Sequence, residues 1–282
     1  MKTVLVTSFD KNYIVPSQVS LKSLSNNYHG INNLKVVCLV SPDILDYQES
    51  YIKTLAASNL DIEFRCSPEY IKMVQANEAH SYEHISMNCN HRIFLGSVLA
   101  DYDRVIYIDS DIVVCRDVEP LINFKQTNKL HAIEEFHSMN VQVFNDPDRA
   151  YFNNGIFIAD LNYWRDSNAE NKMLDFIRKY GPTRNPEQDA MNYVFLDVWS
   201  PLAFSFNSFH YWMSDPELAV FAKLNSNPMI VHFAGEDKPW VKELNTKWSN
   251  LWHTVYKQMY KNKIDNHICQ DCTGNSCKVC ER

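Results

Sequence analysis

The stretch Arg104-Val-Ile-Tyr-Ile-Asp109-Ser-Asp111-Ile-Val-Val constrains the fold of this 282-residue chain more than any other. An apolar run without polar alternation describes a strand buried on both faces, as found in parallel sheets covered by helices. Two acids one residue apart close the run, so they stand at the C-terminal edge of the strand. Open α/β sheets bind their ligands at that edge. Carboxylates this close repel unless one is protonated or a cation lies between them, and hard divalent cations prefer oxygen ligands. Taken alone, a pair of solvated acids at a turn accounts for the pattern equally well.

The first half of the chain repeats the strand-then-helix alternation. Strands are expected at Val4–Ser8, Leu34–Val40 and Leu60–Arg65, and helices at Val15–Leu24, from Ser41 to about residue 57, at Pro68–Gln75 and at His91–Ala100. The second half carries strand signals at Leu130–Glu135, Gly155–Leu161 and Met229–Phe233. Helical signals cover Asn168–Tyr180, Gln188–Phe195 and the aromatic-rich Trp240–Tyr260. This order implies one α/β unit with a mostly parallel sheet covered by helices on both faces.

Composition removes several function classes. The only six glycines are so dispersed that the closest two, Gly155 and Gly181, stand 26 residues apart. Neither glycine-rich phosphate loop can therefore be present, and a cation held by carboxylates is the natural substitute for neutralising a diphosphate. A formal charge of −7 argues against broad nucleic-acid or anionic-membrane binding. No apolar run reaches the roughly 18 residues of a membrane helix. The N-terminus reads as a strand that meets Asp10 too soon for a secretory signal, so a cytoplasmic protein is expected.

A second constellation is Ile230-Val-His232-Phe-Ala-Gly235-Glu-Asp-Lys238-Pro239-Trp240. A strand delivers a histidine, a glycine permits close backbone approach, and a lysine follows three residues later. Imidazole combines with carboxylates as a ligand set for manganese, and lysine supplies a point charge for a phosphate.

Together these residues resemble glycosyltransferase family 8, the family of glycogenin and of bacterial lipopolysaccharide galactosyl- and glucosyltransferases. Five blocks match in order across about residues 3–260: Val6-Thr7-Ser8-Phe9-Asp10-Lys11-Asn12-Tyr13, then Arg92, then the Asp109/Asp111 pair, then Tyr151-Phe152-Asn153-Asn154-Gly155, and last the block from His232 to Trp240. The resemblance implies a GT-A fold, a Rossmann-like α/β/α sandwich with a mixed, mostly parallel central sheet. It places a nucleotide-binding half at about 1–115, an acceptor half at about 116–261, and a Cys-rich tail at 262–282.

Position by position, the resemblance implies that Tyr13 stacks on uracil, that Asp10 or Asn12 bonds the base edge, and that Thr7 offers backbone groups. Arg92 would reach toward the donor sugar and phosphates. Asp109, Asp111 and His232 would hold manganese (or magnesium), with Ser110 between the acids on the donor side. Lys238 and the backbone of Gly235 would contact the β-phosphate and stabilise the leaving UDP. Asn153 would contact the donor sugar, Gln188 would stand beside the anomeric carbon, and Asp189 would bind sugar hydroxyls. Glu187 replaces a shorter acid of the family at the catalytic segment. The implied reaction is retaining transfer of glucose or galactose from a UDP-sugar to a carbohydrate or other hydroxyl acceptor. Glu134, Glu135, the segment Phe136–Arg149 and the aromatic stretch Phe204–Trp212 fall on the acceptor side.

Two readings compete. A haloacid-dehalogenase-like phosphatase also uses an Asp-x-Asp at a strand end, but usually near the N-terminus and followed by Gly-Thr, where Ile112 and Val113 follow here. A non-catalytic nucleotide-sugar-binding protein would keep the fold and lose members of the site. Of the eight cysteines, Cys38, Cys66, Cys89 and Cys115 read as small buried hydrophobes. Cys269, Cys272, Cys277 and Cys280 form two C-x-x-C pairs that suit tetrahedral zinc, two disulfides or a free thiol tail.

Overall fold

The apolar runs become strands whose alternate side chains enter two separate cores. In the computed structural model, residues 1–55, 58–76, 87–135, 149–180, 183, 185–214 and 227–264 are described, with backbone only at 87, 214 and 261–264. The four tail cysteines and residues 136–148 lie outside this set. The main strands are β1 (Thr3–Phe9), β2 (Leu34–Val40), β3 (Leu60–Arg65) and β4 (Arg104–Ile108). Val4, Val6, Val37, Leu39, Val105 and Tyr107 point into one core. Leu5, Val36, Cys38, Ile106 and Ile108 point into the other. Both faces of β1, β2 and β4 are buried, which is why these sequences show no regular polar alternation, whereas β3 alternates buried Leu60, Ile62 and Phe64 with the more exposed Asp61, Glu63 and Arg65.

The chain continues through β5 (Ile112–Val114), β6 (Leu130–Glu134), β7 (Phe152–Asp160), β8 (Trp199–Pro201), β9 (Ser208–Phe209) and β10 (Ile230–His232). Seven strands form one sheet in the order β3-β2-β1-β4-β7-β6-β8, and β5, β10 and β9 form a second. In the main sheet β7 runs antiparallel to both β4 and β6, and the other pairings are parallel. The sheet is thus mixed and mostly parallel, and the fold is GT-A. Strand order reverses at β1, which opens a crevice between the ends of β1 and β4.

The two sheets meet at one place. The main-sheet strand β4 stops at Ile108 and the small-sheet strand β5 starts at Ile112, so Asp109-Ser110-Asp111 is the step between sheets. Backbone hydrogen bonds pin both acids: Asp109 N–H donates to Gly155 O at 2.7 Å, and Phe233 N–H donates to Asp111 O at 2.9 Å.

Three expected elements differ. The helix expected at His91–Ala100 is a tighter 3-10 segment over Met87–Phe94 followed by a single turn at Leu95–Val98. The one expected after Ser41 likewise begins as a 3-10 segment, Pro42–Tyr47, before Gln48–Leu55. The C-terminal helix starts at Lys247, not Trp240. Pro239 and Trp240 sit in a turn, and the Trp240 ring instead packs against Tyr13 and Trp252. Among the described residues no helix is long and apolar enough to cross a membrane.

Candidate active site

At the step between the sheets, strand pairing sets Ile112 opposite His232 and His232 beside Phe209. Asp109, Asp111 and His232 therefore converge, each offering one ligand atom within 4.8 Å of the others. His232 Nε2 lies 3.1 Å from Asp111 and 3.6 Å from Asp109. Two carboxylate oxygens and one imidazole nitrogen fit a divalent cation such as manganese.

The histidine is aimed by its other nitrogen. Asn207 Nδ2 donates to Asn153 Oδ1 at 3.0 Å, which leaves Asn207 Oδ1 to face His232 Nδ1 at 2.9 Å. That amide assignment follows from the network and makes Nδ1 a donor, so Nε2 is the ring nitrogen turned toward the acids.

The two acids differ electrostatically. Burial pushes the Asp109 carboxyl up, and Arg92 opposes without cancelling it. Burial also acts on Asp111, but Lys238 and His232 outweigh it and hold that carboxyl well below the ordinary range. Lys238 Nζ donates to Asp111 at 2.5 Å and to Phe233 O at 2.6 Å. Gly235, with φ of 82°, turns the chain between His232 and Lys238.

Arg92 is committed within the protein. Its guanidinium donates to Asp109 at 2.8 Å, to both oxygens of Asn154 at 2.8 and 2.7 Å, and through Nε to Cys89 O at 3.0 Å. It thus orients Asp109 as well as lining the crevice. Gly155 makes room behind the cluster: a Cβ there would overlap His232 Cε1 and come within 2.7 Å of Asp109 Oδ2.

Gln188 is clamped on all sides. Its Oε1 accepts from Asn154 N–H at 3.0 Å and Asn153 Nδ2 at 3.3 Å. Its Nε2 donates to Glu135 at 3.2 Å and to the Tyr151 hydroxyl at 3.1 Å, which in turn donates to Asp189 at 2.6 Å.

Residues 4–243 match the family model of glycosyl transferase family 8. The chain belongs to that family. General stress protein A of Bacillus subtilis is 29% identical over 204 residues, 66% of this chain and 70% of the relative. The lipopolysaccharide 1,2-glucosyltransferase of Escherichia coli is 27% identical over 187 residues, 62% of this chain and 53% of the relative, so the chain spans about half of that enzyme. Among solved structures, galactosyltransferase LgtC in complex with donor and acceptor sugar analogues superposes with a TM-score of 0.73 at 20% identity, covering 92% of this chain and 99% of that one. This last likeness shows the fold. Family membership leaves the phosphatase reading without support.

In this family 8 chain a cavity of about 450 Å³ gathers most of the residues singled out from sequence. Asp10, Tyr13, Arg92, Asp109, Ser110, Asp111, Asn153, Glu187, Gln188, His232, Gly235 and Lys238 all line it. Three do not. Thr7 is buried within β1, Asn12 is exposed on the 3-10 turn after it, and Asp189 lies behind Tyr151. Cys89, read from sequence as a core residue, is instead a lining residue whose thiol is pushed up by burial and by the Glu187 carboxylate. Asn154, within a matched block, and Asn207 and Tyr211, within the stretch Phe204–Trp212, had no individual role read for them, because their contribution depends on strand pairing and loop packing. No local spacing marks them.

Proposed function

We propose that this protein transfers a hexose, glucose or galactose, from a UDP-sugar to a hydroxyl acceptor with retention of configuration, and that it requires manganese. The observation that carries the reading is the convergence of Asp109, Asp111 and His232 at the sheet step with Lys238 beside them. A bound divalent cation at these three residues would neutralise the donor diphosphate and the charge growing on the leaving UDP.

The chain's own residues supply the rest. Asp10 and Tyr13, after β1, are the candidates for the nucleotide base. Lys238 offers a second positive charge for the phosphates once it turns from Asp111. Asn153 and Glu187 line the cavity where a donor sugar would rest. Gln188, with its oxygen engaged by Asn154 and Asn153, acts as an oriented dipole beside the anomeric carbon and not as a nucleophile. The departing phosphate then takes the acceptor proton on the face it leaves. A product of inverted configuration overturns this route.

The test is UDP release from a panel of UDP-sugars with manganese. One donor is expected to hydrolyse slowly even without acceptor, and Asp111→Asn is expected to remove that activity. Undiminished turnover by Asp111→Asn would falsify the assignment of the metal site.

A further inference from the structure

The two acids at the sheet step are each divided between a cation of the chain and the histidine. Arg92 donates to Asp109 Oδ1 at 2.8 Å, and Lys238 donates to Asp111 Oδ2 at 2.5 Å. The other oxygens, Asp109 Oδ2 and Asp111 Oδ1, face His232 Nε2 at 3.6 and 3.1 Å. Two negative and two positive charges thus balance where the arginine and lysine side chains are only 5% and 10% exposed. Such pairing lets the fold carry buried carboxylates side by side. A divalent cation at Asp109, Asp111 and His232 adds two charges to a set that already sums to zero. It would also share the Asp111 carboxylate with the Lys238 ammonium, and like charges that close repel strongly where water is scarce.

The two basic residues differ in how firmly they are held. Arg92 also donates to Asn154 O, Asn154 Oδ1 and Cys89 O, and its guanidinium lies 4.8 Å from the centre of the Tyr107 ring. Exchanging its carboxylate partner leaves these contacts to hold it. Among the described residues Lys238 is held by Asp111 and by one carbonyl, Phe233 O at 2.6 Å. It stands in the irregular segment after β10, behind Gly235 with its φ of 82°. The four-carbon lysine stem lets the ammonium swing between partners. Lys238 also lines the cavity, so its ammonium can leave Asp111 for another anion that enters there. A diphosphate offers more negative charge than the carboxylate it would replace.

We propose that Lys238 opposes the divalent cation at Asp111 until a nucleoside diphosphate draws its ammonium away, so that cation and nucleotide bind as a coupled pair. The lysine then acts in opposite directions on two ligands: it weakens the cation bound alone and strengthens the diphosphate. By linkage, whatever factor the nucleotide adds to cation affinity, the cation adds to nucleotide affinity. This inference rests on the metal and donor reading above and adds the sign and the source of the coupling between them.

Manganese titration by electron paramagnetic resonance, on the full chain with and without saturating UDP, tests it without turnover. The wild type is expected to bind manganese weakly alone and about tenfold or more tightly with UDP, within the usual range of coupling between sites. Lys238→Met and Lys238→Gln remove the charge. Both are expected to bind manganese alone about tenfold more tightly than the wild type, and UDP should then add less to that affinity. Lys238→Arg keeps the charge and should bind manganese alone as weakly as the wild type. Glutamine retains a donor for Phe233 O, so one neutral variant keeps the turn if the methionine does not, and circular dichroism reports each fold. Neutral variants that bind manganese alone no more tightly than the wild type overturn the proposal. So does an arginine variant that binds it as tightly as the neutral ones. A wild type that takes up no manganese even with UDP, or manganese binding that survives Asp111→Asn, overturns the metal reading and this inference with it.

Discussion

Asn207 Oδ1 stands 2.9 Å from His232 Nδ1, and this contact decides which face of the imidazole is left for a cation. Outer partners of this kind hold a ligand's tautomer and ring angle, and their loss typically costs about 10–100-fold in metal affinity. Asn207→Ala is therefore expected to weaken manganese binding by roughly that factor. Titration of free manganese by electron paramagnetic resonance reads it directly, without substrate. Unchanged affinity would mean that the histidine is oriented by its strand alone.

Gly155 gives a second, steric prediction. Asp109 Oδ2 and His232 Cε1 occupy the space a side chain would need there, and both belong to the proposed ligand set. Gly155→Ala must push one of them aside, because β7 is paired on both edges and cannot retreat. Manganese affinity and UDP release should both collapse while the circular dichroism spectrum stays that of the wild type. A variant that binds manganese normally would show that the cluster has slack the distances do not suggest.

The sheet and the acid pair were legible in the sequence because burial on both faces writes itself as uninterrupted apolar residues. Strands β5, β8 and β9 were not, since two or three residues carry no period. The C-terminal helix was overextended for a related reason. Trp240 is apolar at a spacing compatible with a helix, yet its burial comes from rings on other elements. Thr246 then caps the true start, accepting from Ser249 N–H at 3.1 Å. Site residues adjacent to a recognisable motif, such as His232 and Lys238, could be read from sequence. The individual roles of Asn207 and Tyr211, inside the aromatic stretch Phe204–Trp212, could not, because only the pairing of β9 with β10 brings them to the acids, about a hundred residues away along the chain.

Arg92 and Asp109 form a buried pair 2.8 Å apart, with the arginine side chain 5% exposed. Removing one partner leaves the other charge stranded, at a cost of about 3–5 kcal/mol. Arg92→Met should lower unfolding free energy in urea by an amount of that order. Most of the cost is attached to the bare carboxylate, so Arg92→Met with Asp109→Asn should recover much of it. If the double variant is no more stable than Arg92→Met, the loss comes from the bonds to Asn154 and Cys89.

The last prediction concerns pH and the segment that carries Arg92 and Cys89 into the site. His91 is fully buried there, its ring 3.6 Å from that of Tyr70, and among the described residues neither ring nitrogen has a hydrogen-bond partner. Burial without a partner penalises the imidazolium and lowers its pKa to about 3. An unfolded histidine titrates near 6.5. Between these two values the unfolded chain binds the proton that the folded chain refuses, so stability falls as pH drops from about 6.5 toward 3 and is fully present above that window. The slope from this residue reaches at most about 1.4 kcal/mol per pH unit. Carboxylates titrate in the lower part of the same range, so the informative quantity is the difference between wild type and His91→Phe, which keeps an aromatic ring against Tyr70 and has no proton to gain. Melting temperatures measured from pH 7.5 down to 4.5 should diverge, with the wild type falling faster below 6.5. Parallel curves would mean that His91 takes up its proton in the folded state, through water or a local opening of the 3-10 segment.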